Sequence, residues 1–371
     1  MSRTFFLFVY TFVCTISSTA LAQTATSVTY DYANVKFPGS IITNTNGINN
    51  SNVIVGSYFD SQDFVHGFVY RNGKFSAINV PGATETQVLG INNKGEMVGM
   101  YQYPGALNFH GFLRQNGSFI PIDDPKAQFG TIAFGINDSG TIVGSFDNAK
   151  GFVYSNGTYR TLDAPQLPGE PHQTQLNGIN NLGWIVGQVF TGGIWRGFWI
   201  VNNKLHFLER PGSTDSQATG INSHEDLVGC HDAQAGFISF AIENAGADFP
   251  SEEPLASCVS AINYARAVVG NYFTATNANG FLAVPVLTLQ VSRPINDSSL
   301  YSPVHVVASA NGTHPVSQIQ VWVNYKEIFH VDGGNLNVEL KLQAGSNERF
   351  VVQAIDTEGI VAKVVESITV R

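Results

Sequence analysis

The chain is 371 residues long, with only 13% charged residues and a formal net charge of −9. That length can bury two substantial cores. The acidic balance, with no clustered Lys or Arg, excludes the phosphate-neutralising surface of a nucleic-acid binder.

Residues 1–22 read as a secretory signal peptide: Arg3, an apolar run over Phe5–Ile16, then Ala20-Leu21-Ala22 as the cleavage site. The run is short for a retained membrane anchor, the alternative. No later stretch is apolar enough to span a bilayer, and no anchor signal ends the chain. A secreted protein cleaved after Ala22, with no membrane insertion, is expected. Sparse charge and abundant Gly, Asn, Ser and Thr suit that destination.

A repeat organises most of the chain. Gly-Ile-Asn begins at Gly47, Gly90, Gly135, Gly178 and Gly220, and weakens to Ala261-Ile262-Asn263. Each is followed by a Val-Gly pair (Val55-Gly56, Val98-Gly99, Val143-Gly144, Val186-Gly187, Val228-Gly229, Val269-Gly270). Each then reaches a Gly-Phe pair at Gly67, Gly111, Gly151, Gly197, Gly236 and Gly280. Six copies at roughly 41–45 residues indicate a propeller or a solenoid. Each copy divides into four short segments rich in Val, Ile, Phe and Tyr, here strands A to D. The A–B link is a tight Asn-to-Gly turn such as Asn92–Gly95, and the C–D link is Asn-Gly at Asn72, Asn116 and Asn156, the strongest short hairpin signal.

The ends favour a ring. The sixth copy stops after strand C at Gly280–Pro285, and Tyr32–Gly39 aligns with the D strand at Phe75–Gly82. An orphan D strand at one end and a D-less copy at the other let the termini share one sheet. The expected fold is all-β: a six-bladed β-propeller over residues 23–285, closed by an N-terminal strand. A β-solenoid, the alternative, would want caps instead of a complementary gap.

The pattern Gly-Ile-Asn-Asn-x-Gly-x-x-Val-Gly, then His-Gly-Phe and Asn-Gly, resembles the HAF-type probable extracellular repeat family, named for a His-Ala-Phe tripeptide. Here the tripeptide is His66-Gly67-Phe68 and His110-Gly111-Phe112, and the His is absent from the other four copies. The resemblance covers residues 30–285 and implies a secreted propeller-like domain, with no catalytic residues to carry over.

After Pro285 about seven short strands in about 85 residues match the count of an immunoglobulin-like sandwich. Arg293-Pro294, Ser302-Pro303-Val304, Val321-Trp322-Val323 and Asp356-x-x-Gly359 resemble bacterial Ig-like domains. Residues 286–371 are expected to form such a β-sandwich, with Trp322 as its core aromatic. Cys230 and Cys258 remain once the signal is removed and are expected to bridge. A thiol site with His231 and Asp232 is the alternative.

No nucleophile elbow, zinc helix, P-loop or dinucleotide fingerprint occurs, and no His lies at helix-type metal spacing. No cofactor or metal is expected. The variable B–C and D–A connections share one face, where function is to be sought. The B–C loops carry Tyr58, Tyr101, Tyr103, Trp195, Arg196, Tyr272 and Asp147 as candidate ligand-binding residues, with Trp195 expected to be the exposed one. Aromatics among short polar residues suit sugar stacking or polymer capture. Alternatively each packs against the neighbouring blade. Asp60, Asp63, Asp147, Asp232, Glu85, Asp123, Asp124, Glu170 and Asp215 could supply a hydrolase or lyase carboxylate pair or a calcium site. His66 and His110 are expected to start strand C and hydrogen-bond locally. A monomeric binding protein for a polysaccharide or protein surface is the favoured function, ahead of a polysaccharide hydrolase or lyase and of a structural or adhesive protein.

Overall fold

The computed structural model describes residues 25–147, 149–164, 172–208, 213–233, 236–241, 257–273, 278–294 and 298–371. The signal peptide and Glu170 lie outside these residues. Every regular element among the described residues is a β-strand. Copies one to four each pair as an A-B-C-D antiparallel meander, for example Glu85–Ile91, Met97–Gln102, His110–Gln115 and Ser118–Ile122 in the second. In the Asn-Gly turns both central residues have positive φ, as at Asn116 (51°) and Gly117 (84°), which matches the hairpin to the strand twist.

The repeated residues have distinct packing roles. The Val of each Val-Gly pair is fully buried and packs in the core of the following copy: Val55 with Phe112, Val98 with Phe152 and Val143 with Phe198. Val269 of the sixth copy packs with Phe68 of the first, so the six cores form a closed cycle. The Gly leaves room for the copy's own Phe. A Cβ at Gly56, Gly99, Gly144, Gly187 or Gly270 would lie 1.9 to 2.4 Å from a strand-A carbonyl and 2.7 to 2.9 Å from that Phe ring. In the fifth copy Gly229 pairs with Phe240, and Phe237 pairs with Asp232. The Gly-Phe position is therefore filled by Ser239-Phe240, and the expected Gly236-Phe237 lies three residues too early.

The Asn of Gly-Ile-Asn links the copies. Its Nδ2 donates to the backbone oxygen of the next copy's Asn, from Asn49 through Asn92, Asn137, Asn180, Asn222 and Asn263 and back to Asn49, at 2.9 to 3.2 Å. Its Oδ1 accepts backbone N–H groups two and four residues on, as from Ser139 and Thr141 at Asn137. One buried side chain thus closes its own turn and ties it to its neighbour. A β-bulge precedes Gly-Ile-Asn in each described A strand. The axial cavities beside this ring, about 80 and about 100 Å3, have room for only a few waters.

The N-terminal strand Ala25–Val35 pairs with Ala278–Arg293 from Val35↔Gly280 to Ala25↔Val291. It occupies the D position beside the sixth copy's C strand, and it begins earlier than expected. The C strand does not stop at Pro285 either. It runs sixteen residues through the expected domain boundary and joins Val304–Gly312 and Asn335–Leu340 in one sheet. A second sheet is ordered Ser298–Leu300, Val361–Val370, Gly345–Asp356, Val316–Val323, Lys326–Asp332. The two sheets enclose one core, including Leu289, Val306, Val321 and Phe350. Trp322 is not part of that core. It lies half-buried on the other face of its strand, its Nε1 donating to Gln320 Oε1 at 3.2 Å, and Phe350 is the buried aromatic. Cys230 and Cys258 are disulfide-bonded across the fifth and sixth copies, with Cα atoms 5.2 Å apart.

Candidate functional site

Most of the expected ring of aromatics packs inward. Tyr58 is half-buried and stacks on Phe37 with ring centroids 3.6 Å apart. Tyr101 is buried between Tyr103, His110 and Phe112, and burial, with smaller contributions from Tyr103 and Asp123, pushes its hydroxyl up to about 12. Tyr272 is half-buried, its hydroxyl donating to Asn34 Oδ1 at 3.4 Å. Trp195 lies in strand Ile194–Val201, because the expected loop is a tight Gly192-Gly193 turn. Its indole is half-buried against Phe190, and Arg196 beside it is exposed. Apart from Arg196, these side chains belong to strand ends and are at least half-buried.

His66 begins its strand region between Asn79 Oδ1 and Asp60 Oδ2, both at 3.1 Å, and His110 Nδ1 lies 3.0 Å from Asp123 Oδ2. The loop carboxylates serve as anchors. Asp147 Oδ1 accepts backbone N–H groups from Gln128, Phe129 and Gly130 at 2.7 to 3.3 Å. Asp232 does the same for Thr214 and Asp215 and also accepts from the Ser213 and Thr214 hydroxyls, which hold its carboxyl far below the usual range. Asp60 closes its own loop through the N–H groups of Gln62 and Phe64, and the Gln62 bond leads the lowering of its pKa. Asp124 accepts from Lys126, Asp215 from Trp195 and Glu85 from the Gln87 amide. Among the described residues no group of three or more His, Cys, Asp or Glu is arranged to hold a metal ion.

The same anchoring joins two loops that carry exposed apolar side chains. Loop 103–109 and loop 124–130 are joined by the Phe109↔Gly130 bridge, the Thr131 N–H to Phe109 oxygen bond at 3.2 Å, and Asn108 Nδ2 donating to the Gln128 oxygen at 3.4 Å. Gly130 (φ 139°) is required there, since a Cβ would lie 2.5 Å from the Phe109 oxygen. Leu107 (90% exposed), Phe129 (68%) and Tyr103 (42%) project from these joined loops. Tyr103 was legible as a candidate, whereas Leu107 and Phe129 were not. Phe129 belongs to a D–A loop, and a fixed Phe between Gln128 and Gly130 is the signal that could have found it.

No family model and no curated protein matches the chain. Among solved structures it is similar to XC5397, a gluconolactonase from Xanthomonas campestris (9% identity, 70% of this chain and 97% of that one, TM-score 0.39). It is also similar to AofleA from Arthrobotrys oligospora (9% identity, 87% and 94%, TM-score 0.39) and to the Aleuria aurantia lectin AAL (7% identity, 87% and 92%, TM-score 0.28).

Proposed function

We propose that the chain is a secreted HAF-type six-bladed β-propeller followed by an Ig-like sandwich, and that it binds polysaccharide through the platform of Tyr103, Leu107 and Phe129. The closed cycle of Val contacts and Asn hydrogen bonds, with the N-terminal strand at the D position, supports the propeller. The observation that carries the binding function is the contrast on the variable face. Asp60, Asp147 and Asp232 are engaged in holding loops, while large apolar side chains on the loop Asp147 holds and on the loop joined to it stay in solvent. Exposed apolar and aromatic side chains near polar groups such as Asp123 suit a sugar ring.

The test is retention of the chain lacking residues 1–22 on immobilised polysaccharides, assayed together with product release. Retention without product is expected, weakened about tenfold by Phe129→Ala or Tyr103→Ala and unchanged by Trp195→Ala. Product release abolished by Asp147→Asn would replace this function with a hydrolase or lyase. Silence in both assays would favour a structural or adhesive protein.

A further inference from the structure

We infer that the C-terminal region carries a separate groove for a neutral, hydroxyl-rich ligand, a short stretch of uncharged saccharide chain. A groove of about 740 Å3 lies on this region, lined among others by Gln290, Ser292, Ser309, Asn335, Asn337 and Phe329. That volume is within the range of small-molecule sites, and it dwarfs the two axial cavities.

The strand registers explain its lining. Gln290 pairs with Ser309, and Ser309 with Asn335, so a carboxamide, a hydroxyl and a carboxamide form one row across three adjacent strands. Neighbouring strands place such groups about 4.8 Å apart. Val307 and Asn337 begin the next row. The alternate residues, Leu289, Val291, Ala308 and Leu336, face the core. The polar rows are therefore on the outer face, where packing does not demand them. His305 Nε2 lies 2.7 Å from Asn337 Oδ1 and ties that carboxamide to the neighbouring strand.

The chemistry selects the ligand class. No lining side chain is ionisable, so nothing there pairs with a phosphate or carboxylate, and nothing carboxylate-like attracts a cation. Carboxamides both donate and accept, as vicinal sugar hydroxyls require. Phe329 and Val331, on the edge strand of the other sheet, are half-buried against the sandwich core and border the groove with the apolar surface that remains open.

Affinity gel electrophoresis tests this, using the chain lacking residues 1–22 in gels containing laminarin, soluble starch, hydroxyethyl cellulose or xyloglucan, against alginate and polygalacturonate. Retardation by at least one neutral polymer is expected, unaffected by salt. Asn335→Ala with Asn337→Ala, both at exposed positions, should weaken it about tenfold. Retardation lost with Phe129→Ala but kept in the Asn335 and Asn337 double variant would overturn the groove while upholding the platform. Lack of retardation by all four neutral polymers, or retardation by the charged polymers alone, would overturn it as well.

Discussion

Replacing Asn137 by Asp separates the two roles of the repeated Asn. The side chain is 6% exposed, and its Oδ1 accepts from the Ser139 and Thr141 N–H groups and from the Ser139 hydroxyl at 2.7 to 3.1 Å. Its Nδ2 donates to the Asn180 oxygen at 3.2 Å. Asp preserves every turn bond, and in a turn alone it would be as good a residue as Asn. In the ring it sets a carboxylate oxygen against a carbonyl oxygen, losing one hydrogen bond and leaving a buried acceptor opposed, a cost of about 2 kcal/mol. Asn137→Ala loses all four bonds and should cost about 4 kcal/mol at roughly 1 kcal/mol each. Urea unfolding followed by tryptophan fluorescence is the assay, because Trp184 and Trp199 pack against the core shared by the fourth and fifth copies. Since a protonated carboxyl can donate to Asn180, the Asp variant should recover stability as pH falls, and the wild type should not share that recovery. An Asp variant within 0.5 kcal/mol of wild type at pH 8 (well below the ~2 kcal/mol predicted) would refute the ring as a stabilising link.

Glu366 is 4% exposed, neither of its oxygens has a hydrogen-bond partner among the described residues, and burial pushes its carboxyl up to about 7. A raised folded-state pKa means the proton stabilises the fold fully below about 4.5 and that stability is lost as pH rises through about 7, about 3 kcal/mol in all. Glu366→Gln should abolish that loss and stabilise the chain at pH 8, and equal pH–stability slopes for the two proteins between pH 5 and 8 would contradict the assignment. The Cys230–Cys258 bridge spans 28 residues, so reduction should cost about 3.5 kcal/mol by loop entropy. Urea midpoints with and without reductant measure this, with the Cys230→Ala, Cys258→Ala double variant insensitive to reductant.

Sequence alone determined the period, the strand order within a copy and the turns. Asn116-Gly117 needs two positive φ values, and Asn92 closes its turn on residues two and four away, whatever the rest of the chain does. The complementary ends were equally legible, because Val35 aligns with Ile78 as Gly280 does with Gly67. Tertiary structure decided which side chains meet across copies and which remain in water. The amide end of Asn49, Val55 beside Phe112 and the stacking of Tyr58 on Phe37 depend on a neighbour more than 20 residues distant or on the closed ring itself. Exposure followed the same rule. Trp195 sits in a strand because Gly192-Gly193 allowed a two-residue turn, Trp322 faces outward because Ile319 and Val321 hold the core phase, and Phe129 is exposed because Asp147 pins its loop from the following hairpin. Backbone geometry is encoded over a few residues, whereas burial is a property of the assembled surface, and only the fold specifies that surface.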